Sequence, residues 1–535
     1  MSNPHLTDIP AQFSASGRGG LVASADRLAT AAGIEILRRG GNAVDAAIAT
    51  NAAMAVVGPH LCGIGGDLFA LVHVDGTVYC LNASGRAGSG ASAAALRDDG
   101  FTEMPFRHDI RTVTVPGCID GWVALHARFG SLPLADLLAP ATRLATEGFP
   151  ASPLLAFSIR RVDDAARRNL AVLADQATRA DAPVRLPGVA RALAAVGADG
   201  RAAFYEGEFG EGLRQLGGGW FSTDDLTDVQ AKWVQPLSAD AFGVTLHTVP
   251  PNSQGYLTIA AARLATAVGL PDDPDDPQWA HTLAECAKQA GFDRPDVLFD
   301  DADGEALLAA IDERAGHVDT LRASGLNAPG LDGDTTYLCT ADATGMGVSL
   351  IQSNASGFGS WLAEPNTGIN IHNRGLGFSL RPGHPAELAP GKRPPHTLSP
   401  AIATRGRALA SVFGTMGGDA QPQILLQLAA RLFAAGQAPA EAIPAGRWAL
   451  AGPDTGFDTW QHGAAVPDGA RLTVNVEGHA PAGWAADLAA RGHRVAELGR
   501  YDTAFGHAHA IVVGSDGLLA GAADPRTVVG SCDTV

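Results

Sequence analysis

Thr335-Thr336-Tyr337-Leu338-Cys339-Thr340-Ala341-Asp342 reads as one arm of a β-hairpin, and Met346-Gly347-Val348-Ser349-Leu350-Ile351-Gln352-Ser353 reads as the other. Both arms carry β-branched residues, the first adds an aromatic, and Ala343-Thr344-Gly345 supplies the turn. Upstream of Asp334 the chain is mostly helical in pattern, so its character changes sharply at 334/335 with no Pro/Gly/Ser linker to mark a domain junction. A cut before Thr335 would give that boundary a purpose. The threonine would then carry a free α-amine beside its own hydroxyl, and an α-amine with a pKa of about 7.7–8 can accept the hydroxyl proton near neutrality. One residue would supply nucleophile and general base. A Thr-Thr pair on a strand is by itself only β-propensity, so the argument depends on what surrounds it.

Working outward, residues 25–39 show helical spacing, with Leu28, Ala32, Ile36 and Leu37 on one stripe and Gly40-Gly41 as the stop. Asn42 can cap a second, Ala-rich helix running to about Val57, where Gly58-Pro59 ends it. Strands are expected at Leu68–Val74 and Thr77–Leu81, joined by Asp75-Gly76. Helix, helix, hairpin is the order expected when helices cover an antiparallel sheet. The region 120–330 reads as mostly helical, with amphipathic segments at Pro140–Thr146, Val189–Val196 and Trp279–Ala290 and Asp-rich loops at 272–276 and 300–303. After the hairpin come a strand at Ala408–Phe413, a helix around Gln423–Ala435 and a strand at Ala508–Val513. Gly63-Ile64-Gly65-Gly66 follows a helix and precedes a strand, the reverse of the dinucleotide fingerprint, so it is expected to shape a loop beside the active site. The fold class is α+β.

Composition narrows the partners. The 535 residues are 46% hydrophobic and 18% charged, and 56 acidic against 38 basic side chains leave a net charge of −18. Such a field repels phosphate backbones and anionic surfaces, which argues against nucleic acid. The most apolar early stretch, Ala43 to Val57, is broken by Asp45 and Asn51 and is shorter than the ~20 residues of a membrane span. Six scattered cysteines form no C-x-x-C pair and no zinc spacing, and read as small buried hydrophobes in a reducing compartment. The first twenty residues lack a basic region followed by an apolar core, so the expected location is the cytoplasm. No metal and no organic cofactor is implied.

The hairpin does not stand alone. Residues 40–69, GGNAVDAAIATNAAMAVVGPHLCGIGGDLF, VPPNSQGY at 249–256, PGKRPPHTLSPA at 390–401, GTMGGDAQPQ at 414–423 and ADPR at 523–526 keep a common order around it. In these segments the sequence resembles the γ-glutamyltranspeptidase family from about residue 20 to the C-terminus. The resemblance implies an N-terminal-nucleophile (Ntn) hydrolase with a four-layer αββα sandwich. It also implies cleavage between Asp334 and Thr335, giving a large subunit, 1–334, and a small subunit, 335–535. The first threonine of the pair, Thr335, then corresponds to the nucleophile. The second hydroxyl that orients it falls eighteen residues later, at Ser353. Gly417 and Gly418 correspond to the oxyanion hole, where residues without Cβ let two backbone N–H groups approach a carbonyl.

The substrate pocket departs from the family pattern. Arg86 is a candidate clamp for a substrate carboxylate, although the family arginine aligns to Ser84 two residues earlier. Arg374 is a second candidate. Where transpeptidases have an acid for the glutamyl α-amine, this chain reads NRGLGFSL (373–380), and His396-Thr397 replace their Ser-Ser pair. LNASGRAG, IQSNASGFGS and MGGDAQPQ resemble the branch holding glutathione hydrolase-like proteins and oxamate amidohydrolases. The expected function is hydrolysis of γ-glutamyl or similar small carboxylate-bearing amides. Oxamate hydrolysis is the alternative, and a non-catalytic small-molecule binder on the same fold is the alternative from another class. The expected partners are a small-molecule amide, the two pieces of one precursor, and a homodimer of processed heterodimers.

Overall fold

In a computed structural model of the chain, residues 11–326, 334–451 and 472–535 are described. Two seven-stranded sheets dominate, and every neighbouring pair of strands in both is antiparallel. The first runs, in spatial order, Ser531–Thr534, Gly20–Ser24, Asp334–Asp342, Gly347–Ala355, Asp67–Val74, Thr77–Ala83 and Lys232–Val234. The second runs Ser14–Gly17, Leu519–Ala522, Ala508–Val513, Ala408–Thr415, Ala401–Arg405, Val244–Thr248 and Leu237–Ala241. A smaller sheet of Trp448–Ala451, Thr473–Glu477 and Arg494–Leu498 packs beside the second.

Side-chain alternation along Asp334–Asp342 shows how the layers form. Tyr337, Cys339 and Ala341 point into an apolar layer shared with Ile402, Val412 and Ile511 of the second sheet. Leu338 points the other way, into a core built with the helices Arg27–Arg38 and Ala43–Val57. On that outer face Thr340 Oγ1 donates to the Ala43 carbonyl at 2.7 Å, and Asp342 Oδ2 accepts from the Ala43 N–H at 2.8 Å, which ties the strand to the start of the helix. A third core, with Trp279, Leu425 and Trp484, backs the second sheet with helices Tyr256–Val268, Pro277–Gly291 and Gln421–Ala429. The result is helix, sheet, sheet, helix, the expected αββα order. Gly414 of the second sheet lies against the Tyr337 ring of the first. A Cβ there would collide with the Tyr337 ring, so only glycine allows this approach.

The local reading holds for most elements. The Asp75-Gly76 turn has φ of 52° and 74° at its two residues, the primed geometry of a two-residue hairpin. Ala43–Val57 is a helix with every residue buried, and Asn42 caps it in a reciprocal box with Asp45. Its two polar interruptions are satisfied inside: Asn51 accepts from Trp122 Nε1 at 2.7 Å, and Asp45 accepts from the Ser131 N–H at 3.1 Å. The segment expected at Gln423–Ala435 is an α-helix over Gln421–Ala429 that closes in a π-helical turn.

Several strands escaped the reading, Ala401–Arg405 of the second sheet among them. Ser14–Gly17 and Gly20–Ser24 precede the first expected element, and Lys232–Val234, Leu237–Ala241 and Val244–Thr248 lie inside the region read as helical. All are five residues or shorter; Ser14–Gly17, Gly20–Ser24 and Lys232–Val234 pair with strands distant in sequence, whereas Leu237–Ala241 and Val244–Thr248 alternate inward and outward and form a hairpin across Phe242-Gly243. All six cysteines are buried and unpaired. No helix among the described residues is long and apolar enough to cross a membrane.

Candidate active site

Thr335 is directly paired with Ser353, and Ser353 is directly paired with Asp67 on the next strand. Opposed residues of neighbouring strands share a sheet face, so the three side chains form a row. The row lies on the face towards the second sheet, since Tyr337, Ile351 and Phe69, two residues along each strand, all enter the inter-sheet layer. Thr335 Oγ1 donates to Ser353 Oγ at 3.0 Å, and the same oxygen accepts the Ala355 N–H at 2.8 Å. Both hydroxyls are buried, and a register shift separates Asp334 from Thr335 at the strand's start. Residues 327–333, immediately before it, lie outside the described residues.

Gly417 and Gly418 follow Ala408–Thr415 of the second sheet, at the same end of the sandwich. Gly417 shares a cavity wall with Gly357 and Phe358, which follow Ser353 by a few residues. Their φ values are 136° and 51°, a left-handed pair that side chains disfavour. Among the described residues no backbone acceptor takes the N–H of either glycine. The loop is held from behind. Gln254 Nε2 donates to the carbonyls of Gly418 (3.0 Å) and Thr397 (2.9 Å), and buried Arg294 bonds both Gln254 Oε1 and Asp419 Oδ1, the latter at 2.8 Å.

At the other end of the row Asp67 gathers three basic side chains. Its Oδ2 accepts from His396 Nε2 at 2.6 Å and from Arg374 Nε at 3.1 Å, with His372 Nδ1 at 3.8 Å, and all four groups are buried. Arg374 Nη1 also donates to Thr397 Oγ1 at 3.1 Å, so Arg374, His396 and Thr397 do meet, in one cluster. Burial favours the neutral acid at Asp67, but Arg374, His396 and His372 outweigh it and hold the carboxyl well below its usual range. Burial and Arg374 push His396 down to about 4, against the pull of Asp67. The Leu398 N–H donates to His396 Nδ1 at 3.2 Å, so the ring is the Nε2–H tautomer and donates that proton to Asp67. The cluster is thus a carboxylate and a guanidinium, nearly cancelling, with two neutral imidazoles. Asp67→Ala would leave the buried Arg374 without its paired carboxylate, a loss of about 3–5 kcal/mol in stability. Urea denaturation of the variant measures it, and a loss below about 1 kcal/mol would show the ion pair to be energetically idle.

Arg86 sits elsewhere. Its guanidinium donates to the Val229 carbonyl at 3.3 Å and to Gln230 Oε1 at 3.4 Å, beside the loop after Thr77–Ala83. Ser84, the aligned position, turns its hydroxyl to Asn82 Oδ1 at 2.7 Å. Asp67, Gln254 and Arg294 were missed as site residues. Two had a visible signal: Asp67 is a charge between a glycine turn and an apolar strand, and Gln254 lies in VPPNSQGY. Among the described residues one group has metal-ligand geometry, His281, Glu285 and His493. There Lys288 Nζ lies 2.6 Å from Glu285 Oε1 and 3.4 Å from His493 Nδ1, and His493 Nε2 lies 2.8 Å from His281 Nδ1. His281 Nε2 lies 3.0 Å from the Asp319 carbonyl. With each ring nitrogen matched to a partner and an ammonium as the positive charge, the group is satisfied as it stands.

Two antiparallel sheets between helical layers, a threonine opening a central strand and a glycine pair at the same end of the facing sheet define an Ntn-hydrolase fold. The solved cephalosporin acylase from Bacillus halodurans superposes with a TM-score of 0.88 at 33% identity, covering 100% of this chain and 99% of that one. The family model described as Gamma-glutamyltranspeptidase matches residues 29–532. The glutathione hydrolase-like YwrD proenzyme of Bacillus subtilis (strain 168) is 34% identical over 95% of this chain and 97% of its own length. The oxamate amidohydrolase proenzyme of Klebsiella pneumoniae subsp. pneumoniae matches with the same identity and coverage. The chain belongs to the gamma-glutamyltranspeptidase family and is an amide-hydrolysing enzyme.

Proposed function

We propose that the protein cleaves itself between Asp334 and Thr335 and that the new N-terminal Thr335 then hydrolyses small carboxylate-bearing amides. The observation that carries this is the 3.0 Å bond from Thr335 Oγ1 to Ser353 Oγ on the face towards the second sheet. In the cut protein the Thr335 α-amine takes the Oγ proton as Oγ adds to the substrate carbonyl carbon. The N–H groups of Gly417 and Gly418 receive the oxyanion, a role for which each donor is worth about 10²–10³ in turnover. The tetrahedral intermediate expels the amine, which leaves with the proton from the α-ammonium. Water, deprotonated by the same α-amine, then opens the acyl ester and regenerates Thr335.

The pieces are residues 1–334 and 335–535, and they stay together because strands of both contribute to each large sheet. A homodimer of such processed heterodimers in the cytoplasm completes the reading, and the six unpaired cysteines suit a reducing compartment. Oxamate is a substrate that suits this pocket as well as a γ-glutamyl group does. The carboxylate nearest the row, Asp67, is already neutralised by Arg374, so a glutamyl α-ammonium meets no uncompensated acid there. Processed protein is therefore expected to hydrolyse glutaryl amides or oxamate faster than it transfers γ-glutamyl groups from glutathione or a γ-glutamyl anilide. Steady-state rates on that panel check it. Efficient transfer from γ-glutamyl anilide to glycylglycine would refute the substrate assignment.

A further inference from the structure

His60 and His507 are buried, and none of their four ring nitrogens has a hydrogen-bond partner among the described residues. Four buried polar groups left bare would cost a large share of a folded chain's stability, so such groups are expected to hold water or to serve the chemistry. Both histidines lie in the walls of two cavities. One, of about 570 Å³, has Gly417 in its wall. The other has room for about one water molecule and is lined also by Asp26, Ser152 and Thr527. Backbone bonds tie each histidine to a part of the site. The His507 carbonyl accepts the N–H of Met416, the residue before Gly417, at 3.1 Å, and a Cβ on Gly417 would lie 3.7 Å from the Gly506 Cα. The His60 carbonyl accepts the Phe358 N–H at 3.2 Å, and the Leu61 carbonyl accepts the N–H of Asn354, the residue after Ser353, at 3.3 Å. One histidine is thus pinned to the loop of the glycine pair, and the other to the segment that follows the second hydroxyl.

We propose that His60 and His507 are positioning residues that hold the water which opens the acyl-enzyme ester, and that they set the rate of deacylation without taking part in acylation. The proposal rests on the reading of Thr335 and Gly417 given above. In that step the water oxygen adds to the ester carbonyl carbon and gives one proton to the Thr335 α-amine. The bond from that carbon to Thr335 Oγ1 then breaks, Oγ1 takes the proton back, and the product leaves as a carboxylic acid. One O–H and one lone pair of the water are left over. A neutral imidazole has one donor nitrogen and one acceptor nitrogen, so two rings can engage both, one accepting the spare O–H and the other donating to the oxygen. Neither ring gains or loses a proton. Burial keeps them neutral, pushing His60 down to about 3 and His507 down to about 4, the latter against the pull of Asp524.

The product ratio in the presence of a competing nucleophile tests this. Processed enzyme is given glutaryl p-nitroanilide or γ-glutamyl p-nitroanilide together with hydroxylamine, which competes with water for the same acyl-enzyme. Water yields the free acid, and hydroxylamine yields the hydroxamate. His60→Leu and His507→Leu keep an apolar body without ring nitrogens. Each is expected to raise the ratio of hydroxamate to acid about tenfold, the scale of one lost hydrogen bond. By contrast, kcat/KM for release of p-nitroaniline reads no step beyond acylation and should hold within about twofold. His60→Gln and His507→Gln retain a donor and an acceptor and are expected to recover most of the water reaction. The ratio is set within each acyl-enzyme, so partial folding of a variant does not disturb it, and either position alone decides. A wild-type ratio in the Leu variants, or a loss of kcat/KM on the same scale as the change in ratio, would overturn the proposal and leave Thr335 and Gly417 as they stand. Processed wild type that hydrolyses no donor would instead refute the proposed function, and the water site with it.

Discussion

Thr335→Ala protein is expected to remain one chain of 535 residues, whereas the wild type separates under denaturing conditions into residues 1–334 and 335–535. The hydroxyl is needed twice in this reading. Before cleavage it attacks the Asp334 carbonyl, shifting the acyl group from nitrogen to oxygen so that water can open the ester. After cleavage it attacks the substrate. Its loss removes both steps, and hydrolysis should fall by on the order of 10⁶-fold, the scale reached when a catalytic nucleophile is deleted. Ser353→Ala should be milder. It leaves Oγ1 of Thr335 in place but removes the acceptor at 3.0 Å that orients it, along with the partner of the Ala355 N–H. Intact mass spectrometry and turnover on the same samples decide the matter. An active wild-type preparation that consists of a single uncut chain would end the N-terminal-threonine mechanism.

Acid should destabilise the protein well above the pH at which its carboxylates titrate. Burial pushes His60 and His509 down to about 3 and His396 and His507 down to about 4, so all four are neutral in the folded chain near neutrality. In the unfolded chain each takes a proton near its ordinary pKa of about 6.5. Between those limits the unfolded state binds more protons, so the stability they confer is complete above about pH 6.5 and falls as pH falls. Each contributes a slope approaching about 1.4 kcal/mol per pH unit, so roughly 5 kcal/mol is lost between pH 7.5 and 5.5.

Asp26 works the other way. Burial raises it to about 6, against its hydrogen bond from Leu28, so it regains stability as it protonates, but only about 1 kcal/mol by pH 5.5. Asp67 and Asp524, both held low despite burial by arginine partners, add their losses only below about pH 4. With an unfolding entropy near 1.1 kcal/mol/K for a chain of this length, Tm should drop by roughly 5 °C between pH 7.5 and 5.5. Calorimetry across that range measures it. Replacing His60 and His507 by glutamine should remove about half of the slope, and a Tm independent of pH over this interval would mean these imidazoles are protonated in the folded state.

What the sequence determines alone is whatever has a short period or a local turn. The hairpin around Ala343-Thr344-Gly345 was legible from the sequence and sets the register that opposes Thr335 to Ser353, while the roles of those two residues came from the resemblance. The capped helix Ala43–Val57, the Asp75-Gly76 turn and the strand Ala408–Thr415 were legible for the same reason. Resemblance over the whole length supplied the αββα fold class and the glycine pair.

Tertiary structure decided the rest. Asp67 lies about three hundred residues from Arg374 and His396, and only the pairing of Asp67–Val74 with Gly347–Ala355 sets that carboxylate in the hydroxyl row. Read singly, Arg374 is a free cation for a substrate. In the folded chain its charge is largely cancelled by Asp67, because a buried guanidinium requires a counter-charge that no local pattern encodes.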